Sequence, residues 1–188
     1  MRHFLLSLGV EFGPTFLFFI GATLYDFFVG VWWLIIGTCL SLSVSLWRDK
    51  RIPLFALIAS GFVLLSGVIT LYTENPFWIV LEYALYNIAF AVAMAVGYVR
   101  RSPALKPLFS TMFALTDRGW HILSVRWGLF FLLSAVGSEG VWRMYGEETW
   151  VLYRFSMAIL LAVFGFSQFF LARRHRLPDA SPWGLKVH

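Results

Sequence analysis

Long apolar runs separated by short polar stops dominate this chain, and the runs exceed what one buried face of a soluble helix requires. Residues 4–24, 27–47, 53–73, 78–99, 121–145 and 150–172 are each predominantly apolar and about as long as the ~20 residues needed to cross the hydrocarbon core of a bilayer. The pattern therefore predicts an all-α fold, a polytopic transmembrane bundle of about six helices. The stops are specific. Arg48-Asp49-Lys50-Arg51 ends the second run and Pro53 opens the third, a residue suited to a first helical turn. Glu74-Asn75-Pro76 and Gly146-Glu147-Glu148-Thr149 make turns, while Arg100-Arg101 and Arg173-Arg174-His175-Arg176 close the fourth and sixth runs.

The first run carries Glu11 and a Gly13-Pro14 step, and no small-residue cleavage site precedes Asp26, so it reads as a retained helix rather than a signal peptide. Pro14 removes an amide donor and kinks it. A re-entrant or interfacial first segment is the other reading, which would leave five spanning helices. Residues 102–119 are too short and broken to span, and the expectation there is a short interfacial helix over 105–115. Residues 1–176 are expected to form a single transmembrane domain, and 177–188, with two prolines and no apolar period, a loose cytoplasmic tail.

Charge then orients the bundle. With six crossings, Arg48, Lys50, Arg51, Arg100, Arg101, Lys106, Arg118, Arg173, Arg174 and Arg176 fall on one side, and Asp26, Glu74, Glu147 and Glu148 on the other. Basic loops stay in the cytoplasm, so both termini are expected on the cytoplasmic side. Composition agrees: 60% hydrophobic, 13% charged, and a formal net charge of +5 carried in clusters beside the apolar runs rather than in a stripe with interleaved aromatics. That distribution speaks for topology and against nucleic acid as a partner. Cys39 is the lone cysteine and the four histidines are scattered, so no metal or cofactor site is expected.

Charges inside the runs need partners, because each costs about 2.5–3.5 kcal/mol in lipid on insertion scales. Glu11 and Arg126 lie at matching depth from the cytoplasmic ends and suit an interhelical ion pair; Glu139 and Arg143 are four apart on one helix face. Arg154, Glu82 and Asn87 complete the candidate polar network. One reading makes it a path for protons or a polar headgroup, with Glu139, flanked by Gly137, Ser138 and Gly140, as its centre. The other makes Glu11–Arg126 a helix lock, leaves Arg143, Arg154 and Glu82 reaching water at the outer interface, and makes Asn87 helix glue. Gly37, Ser41 and Ser45, and likewise Ala89, Ala93 and Gly97, recur every four residues as helix-packing faces, within the chain or between copies. Trp120, Trp127, Trp142 and Trp150 are expected to anchor helices at the interfaces. No glycine-rich phosphate loop, HExxH, GxSxG or paired-aspartate motif occurs, so catalytic residues are not expected.

Particular phrases carry a resemblance. Glu11-Phe12-Gly13-Pro14 with Phe18-Phe19, Arg51-Ile52-Pro53, Gly67 with Thr70-Leu71, Asn87 with Phe90-Ala91, Lys106-Pro107-Leu108, Asp117-Arg118-Gly119-Trp120, Arg126-Trp127-Gly128-Leu129-Phe130-Phe131, and Glu139 with Val141-Trp142-Arg143 and Trp150-Val151 resemble the intracellular septation protein A family, also called the inner membrane-spanning protein YciB family. The resemblance covers nearly all of residues 10–176, and the Arg126–Phe131 and Glu139–Arg143 phrases resemble alphaproteobacterial members in particular. Where that family usually carries Lys-Pro this chain has Glu82-Tyr83, Ser138 stands for a usual Asn, and Tyr153-Arg154 for Phe-Lys, departures that suit a diverged paralogue.

The resemblance implies a non-enzymatic inner-membrane protein that supports septation and envelope integrity by binding other membrane proteins, with the lipid bilayer as its medium. A small transporter or lipid-handling protein using the buried charges is the alternative. An accessory subunit of a larger membrane complex is another.

Overall fold

In a computed structural model of the protein, the backbone is described over residues 2–49, 54–110 and 113–185, and side chains over 13–47, 57, 60–107, 109–110 and 113–185. The chain forms α1 (Arg2–Leu24), α2 (Phe27–Asp49), α3 (Leu54–Thr73), α4 (Phe77–Val99), α5 (Leu105–Phe109) and α6 (Asp117–Arg174). Among the described residues, Phe27–Trp47, Phe77–Val99 and the α6 stretch are long and apolar enough to cross a membrane, and Gly13–Leu24 and Ser60–Thr73 are shorter apolar helices. α6 is two helices. Its backbone breaks at Gly146, with φ 78° and ψ −169°, a conformation open essentially to glycine alone. The two arms, 117–145 and 147–174, correspond to the fifth and sixth apolar runs.

Helix starts follow from local chemistry. The Asp26 carboxylate accepts from the amides of Phe28 (2.7 Å) and Val29 (3.0 Å), satisfying two of the four donors that open α2. Asn75 Oδ1 accepts from the Phe77 amide ahead of α4, and Thr116 Oγ1 accepts from that of Gly119 at the start of α6. Pro14 sits inside α1 without ending it.

The described chain divides into two compact units: Met1–Tyr83 with Ser138–Ala158, and Ala84–Gly137 with Ile159–His188. In the first, α1 and α2 form a close helical hairpin. A Cβ on Gly21 would lie 2.9 Å from Gly30 Cα, and one on Gly30 would lie 2.7 Å from Ala22 Cβ. Only glycine permits this approach, which is the means by which helices gain packing where lipid supplies no hydrophobic drive. Phe18, Phe27, Val31, Leu34, Ile79, Val80, Trp150 and Val151 form its core.

The second unit packs around Met94, Leu105, Leu115, Trp120, Leu123, Leu171 and Ala172. Within it the two arms of α6 run antiparallel, with Phe130 stacked on Phe164 (4.7 Å between centroids) and Trp127 edge-on to Phe164 (5.0 Å). Two sequence expectations change here. The helix anticipated over 105–115 is only Leu105–Phe109, because the chain beyond it turns extended: Phe113 bridges to Leu185 and Leu115 to Arg176. For the same reason the segment after Arg174 is tied down through residue 185. The amides of Ala114, Thr116 and Leu177 donate to the carbonyls of Gly184, His175 and Ala114 respectively. Paired backbone, not apolar period, holds this strap, so hydropathy gave no sign of it.

Candidate functional site

The intramembrane charges fall into three groups. The most enclosed joins α4 to the second arm of α6. Arg154 Nη2 lies 3.9 Å from Glu82 Oε2, and each side chain is only 8% exposed. The guanidinium sits over the rings of Phe18 and Tyr83 at 5.3 Å each and of Trp150 at 5.5 Å. Trp150 and Arg154 are one helical turn apart, so the α6 arm presents both to the same place. Trp150 is fully buried, and its indole N–H donates to Ser138 Oγ at 2.7 Å, which satisfies the polar edge of the ring. Glu82 Oε2 and Arg154 Nη1 are buried without a direct hydrogen-bond partner. Charge and ring quadrupole therefore hold the guanidinium, and the separation exceeds a direct hydrogen bond.

This corrects the expectation that Glu82 and Arg154 reach water. It also corrects Trp150 and Trp120 as interface anchors. Both rings are buried in protein, Trp120 in the core of the second unit, while Trp127 and Trp142 are half-buried.

The second group is Glu139 with Arg143. Arg143 Nε donates to Glu139 Oε1 at 2.5 Å on one helix face, with side chains 42% and 74% exposed for Glu139 and Arg143 respectively. The room anticipated around Glu139 is only partly there. Gly140 has open space at its Cβ position, whereas Ser138 is fully buried and engaged by Trp150.

The third group is Arg126, whose Nη1 donates to Gln168 Oε1 at 3.4 Å across the two arms of α6. Gln168 in turn donates to Phe164 O and Ser167 Oγ. The Glu11 side chain anticipated as the partner of Arg126 lies outside the described residues. Gln168 was missed in the sequence because it is uncharged and 42 positions away. Asn87 is buried within the second unit.

The packing faces separate as well. Gly37 is buried against Pro14 and Leu17 of α1, and Gly97 against Ala104 and Ser102. Ser41 and Ser45 are half-buried, and Ala89 and Ala93 are exposed. At the connecting end, on the far side of Trp120 from the apolar stretch, Lys106 Nζ donates to Asp117 at 2.6 Å. That hydrogen bond and the ammonium charge hold the Asp117 carboxyl below its ordinary range. Among the described residues no cluster of three or more His, Cys, Asp or Glu offers a metal site.

Apolar helices of spanning length and charges met by partners within the chain define a polytopic α-helical membrane protein. The sequence profile described as Intracellular septation protein A matches residues 6–179. The chain is 31% identical over 180 residues to the protein named Inner membrane-spanning protein YciB of Afipia carboxidovorans, covering 95% of this chain and 90% of that one. The protein of the same name in Agrobacterium fabrum is 32% identical over 165 residues (80% and 81%), and that of Rickettsia canadensis 28% over 186 (94% and 99%). The chain belongs to the intracellular septation protein A family and is an inner-membrane protein. No solved structure matches it.

Proposed function

We propose that this protein is a non-enzymatic factor that supports septation and envelope integrity by binding other inner-membrane proteins, with both termini in the cytoplasm. One observation carries the reading beyond family membership: among the described charges on the spanning helices, Glu139, Arg143, Glu82 and Arg154 meet one another inside the chain. Arg143 closes on Glu139, and Arg154 and Glu82 are enclosed together among aromatic rings. A transporter needs ionisable groups that alternately face water, whereas a scaffold needs charges that fix helices. The basic connections and acidic turns support the orientation. Exposed small residues on α4, Ala89 and Ala93, suit a helix–helix contact with a partner.

The test is extraction of tagged full-length protein from its own membrane in a mild detergent, followed by sizing and identification of what co-elutes. Division or envelope-building membrane proteins in defined stoichiometry are expected. Free monomer alone would contradict the reading.

A further inference from the structure

One end of the second unit is strongly basic. α4 runs out at Arg100-Arg101, α5 carries Lys106, and α6 begins at Asp117-Arg118 and ends at Arg173-Arg174, with Arg176 following; all seven basic side chains are exposed. The fold gathers them. Tyr98 lies edge-on to His121, centroids 6.1 Å apart, and the strap fixes Arg176 opposite Leu115. Lys106 is engaged by Asp117. Arg118, Arg173, Arg174 and Arg176 have no carboxylate partner among the described residues.

The same strap places an aromatic ring among these cations. Gly184 packs against Ala172 and Leu115, and the neighbouring Trp183, 45% exposed, lies under the Arg173 guanidinium at 5.7 Å. Leu177 and Leu185 of the strap and Phe109 of α5 are exposed as well. Unneutralised guanidinium groups next to exposed apolar side chains, at the end of spanning helices, match one kind of occupant. Its phosphodiester takes the Arg forks and its acyl chains lie along the apolar side chains.

We propose that Arg118, Arg173, Arg174, Arg176 and Trp183 form a binding site for the headgroup of an anionic phospholipid. A zwitterionic phospholipid carries its own cation and fits less well. A cluster that set topology alone would need the charges but not the strap that holds Trp183 beside them.

The test places full-length protein in phosphatidylcholine bilayers and measures, by electron spin resonance, the immobilised fraction of spin-labelled phosphatidylglycerol against spin-labelled phosphatidylcholine. Wild type is expected to favour phosphatidylglycerol, with the preference falling as salt rises and falling no further with inorganic phosphate than with sodium chloride of equal ionic strength. Changing Arg173→Gln, Arg174→Gln and Arg176→Gln lowers it roughly fivefold per residue removed, Trp183→Ala lowers it further, and Arg100→Gln with Arg101→Gln leaves most of it.

The wild-type measurement stands even if a variant fails to fold: no preference in wild type overturns the proposal. So does displacement by inorganic phosphate beyond that by sodium chloride of equal ionic strength, which would mark a free-phosphate site. An equal loss from the Arg100 and Arg101 variant also overturns it, since diffuse charge would then suffice.

Discussion

Arg154 shows how one residue can be costly and retained. Removing its charge from water costs several kcal/mol in a protein interior, and its separation of 3.9 Å from Glu82 is too long for a direct hydrogen bond. Three rings within 5.5 Å contribute the rest, a desolvated cation–π contact being worth about 2 kcal/mol or more. Removing one partner strands the other charge, and removing both does not. Glu82→Gln or Arg154→Met alone is therefore expected to lower unfolding free energy by about 3–5 kcal/mol. The double change Glu82→Leu with Arg154→Met is expected to cost much less, as a denaturant titration in micelles would show. Equal, additive losses would mean that the two residues act independently. The sequence flagged both as charges needing partners but placed them at water, because depth along a helix was legible and the rings closing over the guanidinium were not. Glu139–Arg143 was legible for the opposite reason: both lie on one helix, where spacing alone sets the contact.

Elements are defined here by glycine as much as by apolar runs. Gly146 separates the arms of α6 in a backbone conformation that an L side chain avoids. Gly146→Ala is expected to destabilise the protein by about 1–3 kcal/mol, although nothing lies within 4 Å of its added Cβ. Thermal unfolding of the variant in micelles would measure the loss; an unchanged midpoint would mean that the break relaxes freely. The run boundaries were readable from polar stops, since Asp26, Asn75 and Thr116 cap or turn the chain where hydropathy falls. The α1–α2 contact was less so. Small-residue stripes spaced by four drew attention to Gly37, Ser41 and Ser45, whereas the closest approach uses Gly21 on one helix and Gly30 on the other. The strap over 176–185 was invisible to hydropathy because backbone hydrogen bonds carry it.

For the whole molecule, spanning helices, basic connections and family-specific phrases were all present in the primary structure, so class and family followed from it. Pairing across α6 did not, because the register of its two arms depends on one glycine and brings the uncharged Gln168 to Arg126. If the membrane charges are structural pairs in a partner-binding protein, neutralising Glu139, the more exposed of the two described paired acids among them, should matter only through stability. The direct measurement is complementation of a strain lacking the protein by Glu139→Gln, with abundance and thermal midpoint of the variant recorded together. Division and envelope integrity restored in proportion to the amount of folded protein is the expected result. Loss of both at unchanged abundance and stability would contradict it and make Glu139 a working group rather than a partner of Arg143.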